Sequence, residues 1–371
     1  MPTPTKRRRK TVKKPAREQA PLLRTSERTS FKRCRWQWDR NYNDRLRPHE
    51  EAPALRFGTL IHKALELRYP PGIKRGPKPA PQFEKLFDKE LKEAEDTWGF
   101  RDSDGEWADA KQLGVNMLEH YVEVYGKDEE WKVLQSEMTF RVPVYTPEHP
   151  DGGYMGPRGE QLPKRRVLFY YVGTMDGVWQ SRMDGGVWIN DYKTTKNDPV
   201  KDGIGKLVLD EQGTAYWTWG VDWLIRQEIL KPREQQALNG MLYTFLRKAK
   251  KDERPQNAAG HYLNKDGTVS KVQPGTYFHR EVVYRDEQQQ QAARERAVQE
   301  FLEMVAVRDG RMAAYKSPGT GYPSQQCNAC PFFDICELHE IDADWESLRD
   351  ASMTTWDPYD AHEIAEEGKA R

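Results

Sequence analysis

The chain of 371 residues is long enough to bury one large core or two small ones, and its 59 Lys+Arg against 58 Asp+Glu leave a formal net charge of +1, so bulk electrostatics select no partner. No apolar run approaches the roughly 20 residues of a bilayer span. The charged N-terminus has no apolar core behind it, which argues against export, so a soluble, cytoplasmic protein is expected.

In chain order, residues 1–24 mix Lys6-Arg7-Arg8-Arg9-Lys10, Lys13, Lys14 and Arg17 with Pro and Thr and show no period. They read as a disordered basic tail, either a salt-sensitive arm on nucleic acid or a solvated segment without a partner. Ser30–Trp38 looks like a helix with Ser30 as its N-cap. A second helix is predicted from Phe57 to Tyr69, striped with Leu60, Ile61, Ala64, Leu65 and Leu67 and ended by Pro70-Pro71-Gly72. Further helices are predicted near Phe83–Trp98 and Ala108–Tyr125. The period then shortens. Trp131–Tyr145 alternates like a strand, and the stretches 166–176 and 186–193 flank Asp184-Gly185-Gly186, a hairpin signal. A Tyr- and Trp-rich helix (Glu211–Glu228), a hairpin of Met241–Lys250 with Thr276–Tyr284, and a helix over Asp286–Arg308 follow. Sheets bracketed by helices argue for an α/β or α+β domain. The domain is expected over residues 25–345, with a polar, acidic tail over 346–371.

The four cysteines are Cys34 and the C-x2-C-x5-C group Cys327, Cys330 and Cys336. Thiolates at such spacing converge on one metal centre, zinc or iron–sulfur. A disulfide is the alternative, and it fits poorly with a chain of a reducing compartment. Such a centre ties the two ends of the fold together, a structural role.

Catalytic chemistry is sought at the hairpin. Asp176 lies eight residues before Asp184 and Asp191 seven after it, so the two carboxylates should face each other on adjacent strands. Asp191 and Lys193, two apart, emerge on one face. Two acids and a lysine suit Mg2+ or Mn2+ with a lysine to orient water and offset phosphate charge. A solvent-facing ladder of Asp and Lys is the competing reading. His62 stands on the second helix with Glu66 one turn on, and Gln212 and Tyr216 are four apart on the helix after the hairpin. Glu137, on the strand before the hairpin, reads first as a solvated strand residue and second as an added acid.

Taken in order, Gly58-x3-His62, Gly173-x2-Asp176, Asp191-x-Lys193, Gln212-x3-Tyr216 and the four cysteines resemble the RecB-like branch of the PD-(D/E)XK nucleases. The likeness is to its iron–sulfur members: the CRISPR-associated exonuclease four family, AddB-type nuclease domains and phage relatives. It spans about Ser30 to Leu338. The resemblance implies a restriction-endonuclease-like α/β core, a central mixed sheet flanked by helices, with an Fe–S cluster joining the N- and C-terminal segments. It implies His62, Asp176, Asp191 and the backbone carbonyl of Tyr192 as ligands of Mg2+ or Mn2+, and Lys193 as the catalytic lysine. Gln212 and Tyr216 match residues that position DNA and the lysine, and Cys34, Cys327, Cys330 and Cys336 match ligands of a [4Fe-4S] cluster, with zinc the alternative.

The implied activity is a metal-dependent DNA exonuclease on single-stranded DNA or DNA ends, in the cytosol of a bacterium or phage-infected host, with a helicase, recombinase or integrase as partner and no membrane. A DNA-binding accessory with a silent nuclease site is the rival. Two features depart from the tightest pattern. Asp191 stands where many relatives have Glu, and Lys248–Gly275 has no counterpart, reading as an ornament rather than a DNA-contact loop.

Overall fold

Alternating and continuous apolar runs build one six-stranded sheet, and the sheet positions everything else. The computed structural model describes residues 20–360 except 50–52, 99–101, 103–104, 203, 320–324 and 329. The strands are β1 (Leu22–Leu23), β2 (Trp131–Tyr145), β3 (Val167–Ser181), β4 (Val187–Thr195), β5 (Leu238–Arg247) and β6 (Phe278–Tyr284). β2 runs antiparallel along β3, β3 pairs antiparallel with β4, β4 parallel with β5, and β5 antiparallel with β6. β1 lies parallel to β3 at Tyr170 and Tyr171. The mixed order makes this an α/β domain with helices on both faces, which is why residues 187–192 of β4 and 240–246 of β5 are buried without a break.

α1 (Thr25–Arg33), α2 (Pro53–Arg68), α3 (Pro79–Trp98), α4 (Glu106–Tyr125), α5 (Glu211–Ala215), α6 (Val221–Arg226) and α7 (Glu287–Arg308) supply those layers. α2, α3 and α4 bury Leu60, Ile61, Phe83 and Met117 against Trp179, Trp188, Tyr192 and Leu242. The opposite core packs Phe31, Trp219, Leu224 and Phe301 with Phe140, Tyr171, Ile189 and Tyr243. The period of two along β4 therefore sends Trp188 and Tyr192 to one layer and Ile189 to the other. Among the described residues, no helix is long and apolar enough to cross a membrane.

Several sequence expectations change. Ser30 is not an N-cap: α1 begins at Thr25, after Arg24, and Ser30 lies inside it. The polar run hid the helix because two of its charged residues are buried. Arg28 donates to Glu300 at 2.6 Å and to the Tyr171 hydroxyl at 3.2 Å, and Glu27 accepts from the Trp38 indole at 3.0 Å. Extended backbone at Cys34 (φ −161°) breaks the helix before a short turn at Arg35–Trp38.

The segment read as a tail to residue 24 contributes β1, with Leu23 buried; its residues 1–19 lie outside the described residues. At the other end, the stretch after residue 345 forms a helix at Trp345–Ser352 and a strand at Met353–Thr355 that pairs with Leu46–Pro48. Tyr359 then hydrogen-bonds Glu27, and residues 361–371 lie outside the described residues. The helix expected at Glu211–Glu228 is three pieces, α5 and α6 joined by a π-helical turn at Tyr216–Gly220. Lys248–Gly275 folds into small turns, bridged at Gln256 with Tyr262 and at Leu263 with Val269.

Candidate active site

A fork in the sheet makes the site. β2 occupies one edge of β3 along its length, while the other edge carries β1 at Tyr170–Tyr171 and β4 only from Gly177 onward. Gly177 and Asn190 are the pair at the fork, so Asp176 and Asp191 are the first residues beyond it, and from there β4 is paired with β5 alone. The Asp176 carboxylate replaces the missing ladder bond: its Oδ2 accepts the Tyr192 N–H at 2.7 Å. Gly173 keeps the wall of the fork thin. A Cβ there would lie 2.8 Å from the Phe140 ring, which itself packs edge-on to Tyr216.

α2 closes the fork from one side. His62 Nδ1 is 3.1 Å from Asp176 Oδ1, and the imidazole packs edge-on to the Tyr192 ring. Burial opposes the imidazolium, but the charge and hydrogen bond of Asp176 outweigh it and raise the His62 pKa. One turn on, Glu66 shares a hydrogen bond with Glu137. Glu137 lies between the pairs Ser136–Gly177 and Met138–Met175, hence across from Asp176. Enclosure by the surrounding protein, then Glu66 and Asp176, push its carboxyl up to about 7. Glu137 is exposed, as its first reading has it, and it stands across from Asp176 at the fork.

On the other side α5 holds the lysine. Asp191 is 2% exposed, and its Oδ2 meets the Lys193 ammonium at 2.8 Å while accepting no aligned hydrogen bond. Burial drives its carboxyl up to about 6 against the pull of Lys193. Lys193 Nζ donates to Gln212 Oε1 at 2.6 Å, and Gln212 Nε2 donates to the Tyr216 hydroxyl at 2.6 Å. The i, i+4 spacing thus lays out a relay along one helix face. Burial works against the Lys193 charge, but Asp191 and Asp210 more than restore it, so its pKa is raised.

Asp210 and Tyr243 were not anticipated. Asp210 caps α5, accepting from the Gln212 and Gly213 N–H groups at 3.3 and 2.9 Å, and accepts the Tyr243 hydroxyl at 2.8 Å. An Asp two residues before Gln212 is a legible cap signal. The pairing of Asp191 with Tyr243 across parallel strands is not, because that register depends on a distant segment.

The donors divide by chemistry. Among the described residues, no group of three or more His, Cys, Asp or Glu is set closely enough to grip a metal as it stands. The buried Asp191 oxygen without an aligned donor, with Asp176 and His62 beside it, nevertheless fits a hard divalent cation. The cysteines form no disulfide, and Cys34 follows the end of α1. Cys34 Sγ accepts from the Ser317 N–H at 3.5 Å, the Cys330 N–H bonds the Cys327 carbonyl at 2.9 Å, and Cys34, Cys330 and Cys336 pack on Trp36, Phe332 and Ile335. Burial pushes the Cys330 and Cys336 thiols up, and the other cysteines add to it.

The family model described as PD-(D/E)XK nuclease superfamily matches residues 25–337, a span that contains every residue of the fork and all four cysteines. No curated protein matches the chain.

Proposed function

The chain belongs to the PD-(D/E)XK nuclease superfamily, and we propose that it is a divalent-metal-dependent DNA exonuclease of the RecB-like branch. Its substrates in this reading are single-stranded DNA or DNA ends, met in recombination, repair or phage DNA processing. The observation that supports it is the fork between β3 and β4, where Asp176, Asp191, Lys193 and His62 come together.

In this reading His62, Asp176, Asp191 and the Tyr192 carbonyl hold Mg2+ or Mn2+. When bound, the ion supplies positive charge for water activation and for the phosphate. Lys193, held protonated by Asp191 and Asp210, donates to the attacking water or a phosphate oxygen and offsets the growing negative charge. Gln212 fixes the direction of that ammonium and Tyr216 fixes Gln212. Cys34, Cys327, Cys330 and Cys336 carry a [4Fe-4S] cluster as a staple, with zinc the alternative. A helicase, recombinase or integrase would deliver the ends.

The test is digestion of end-labelled single-stranded DNA by anaerobically purified wild-type and Asp191→Ala protein with Mn2+, Mg2+ or EDTA. Metal-dependent digestion by wild type, reduced by roughly 10³-fold or more in the variant, is expected. Folded proteins that both bind DNA and never cut it would overturn the nuclease and leave a DNA-binding accessory.

A further inference from the structure

Two lysines past the fork stand beside each other, and among the described residues neither makes an ion pair with a carboxylate. β4 and β5 end together: Thr195 pairs with Arg247, and the Lys248 N–H donates to the Thr195 carbonyl at 2.7 Å. Lys196 is the next residue of the first strand and is exposed; Lys248 is the next residue of the second and is half-buried. The Lys248 ammonium lies 5.1 Å from the centre of the Phe57 ring on α2. Phe57 precedes Gly58, where a Cβ would lie 3.5 Å from Thr194 Oγ1, so Lys248 spans the gap between the end of β4 and the α2 wall of the fork.

Lys193 is paired with Asp191 at 2.8 Å and Lys251 with Glu123 at 2.6 Å. Among the described residues, Lys196 and Lys248 make no such pair. Burial and the charge of Lys196 both push Lys248 below the ordinary lysine range. Like charges held together in partial burial cost free energy that a bound anion removes. Lys196 is three residues beyond Lys193, about 10 Å at roughly 3.3 Å per strand residue. At about 3.4 Å of rise per nucleotide, that reaches about three nucleotides from the reacting phosphate.

We propose that Lys196 and Lys248 form a clamp on the phosphate backbone of the DNA strand, within about three nucleotides of the scissile bond. The clamp rests on the nuclease reading above. It positions substrate and takes no part in the chemistry. It also gives the start of the Lys248–Gly275 segment a role beyond ornament.

The experiment compares wild type, Lys196→Gln/Lys248→Gln and Lys196→Ala/Lys248→Ala with a control, Lys89→Ala/Lys127→Ala. The control removes the same charge from sites with side chains 73% and 82% exposed. The Gln pair keeps part of the stem over Phe57, so a loss seen in both clamp variants comes from charge rather than packing. Expected are a KM raised about tenfold with kcat within about twofold, and a slope of log Kd against log salt shallower by about 1.4, two phosphates at about 0.7 each for single strands. The control keeps wild-type values. A single methylphosphonate, placed in turn at the three phosphates beside the scissile bond, should weaken wild type at one position and add nothing in the clamp variants. Equal KM and salt slope in the Gln variant and the control would overturn the clamp while wild type still cuts. Wild type that neither binds nor cuts DNA would remove the nuclease reading itself, and the clamp with it.

Discussion

Asp191 and Glu137 hold their protons more tightly than ordinary carboxyls, with pKa values of about 6 and about 7. Both folded values lie above the ordinary carboxylate range, so these groups protonate as pH falls through 7 to 6, and a cation then has to displace a proton. Mn2+ affinity should therefore be flat above pH 8 and fall by about tenfold per pH unit below 6 for each proton displaced. Calorimetry at pH 6 in two buffers of different ionisation heat should show proton release, and identical heats would refute it. Gln212→Ala removes the amide that aims Lys193. Loss of such a supporting partner should lower kcat by roughly 10–100-fold with the fold intact, read by single-turnover digestion. Short-range spacing made Asp176, Asp191, Lys193, Gln212 and Tyr216 legible in the sequence, because period two in a strand and period four in a helix fix who shares a face. Asp210 with Tyr243, and Glu137 across from Asp176, were not legible, since both depend on pairing between segments far apart in the chain.

α1 and β3 show what single elements contribute. Arg28, with its side chain 1% exposed, is held by Glu300 at 2.6 Å and Glu211 at 3.1 Å, and Glu211 precedes Gln212. Arg28→Ala strands two partly exposed carboxylates, and about 3 kcal/mol of stability should go, seen as a lower urea midpoint. On β3, Gly173→Ala drives a methyl group to within 2.8 Å of Phe140. A cost of about 1–3 kcal/mol is expected, with kcat also reduced because the Phe140 ring that must shift packs edge-on to Tyr216. An unchanged urea midpoint would mean that the ring yields without cost. The strands and long helices were legible because hydrophobic period reports burial directly. α1 was misplaced because Glu27 and Arg28 are buried through ion pairs and hydrogen bonds, a burial that hydropathy cannot report.

Across the whole molecule the two ends of the domain are joined at several places, among them the cysteine end, Met353–Thr355 on Leu46–Pro48, and Tyr359 on Glu27. Truncation after Ser352 should uncover Glu27, which is otherwise fully buried, and lower Tm by about 3 °C for roughly 2 kcal/mol lost in a domain of this size. Cys330→Ser should yield colourless, aggregation-prone protein, checked by iron content and light scattering. The α/β class was legible from segment order, whereas the pairing of Met353–Thr355 with Leu46–Pro48 and the contact of Tyr359 with Glu27 were not, because both link segments at opposite ends of the chain. Arg28 and Glu300 are separated by 272 residues, so α1 leaves the ribosome long before its partner exists. At about 5–20 residues per second, the N-terminal helix waits tens of seconds for α7. Because Arg28 also meets Glu211 beside Gln212, the one guanidinium ties the helix of the relay to α7, and the full set of contacts exists only once α7 has docked.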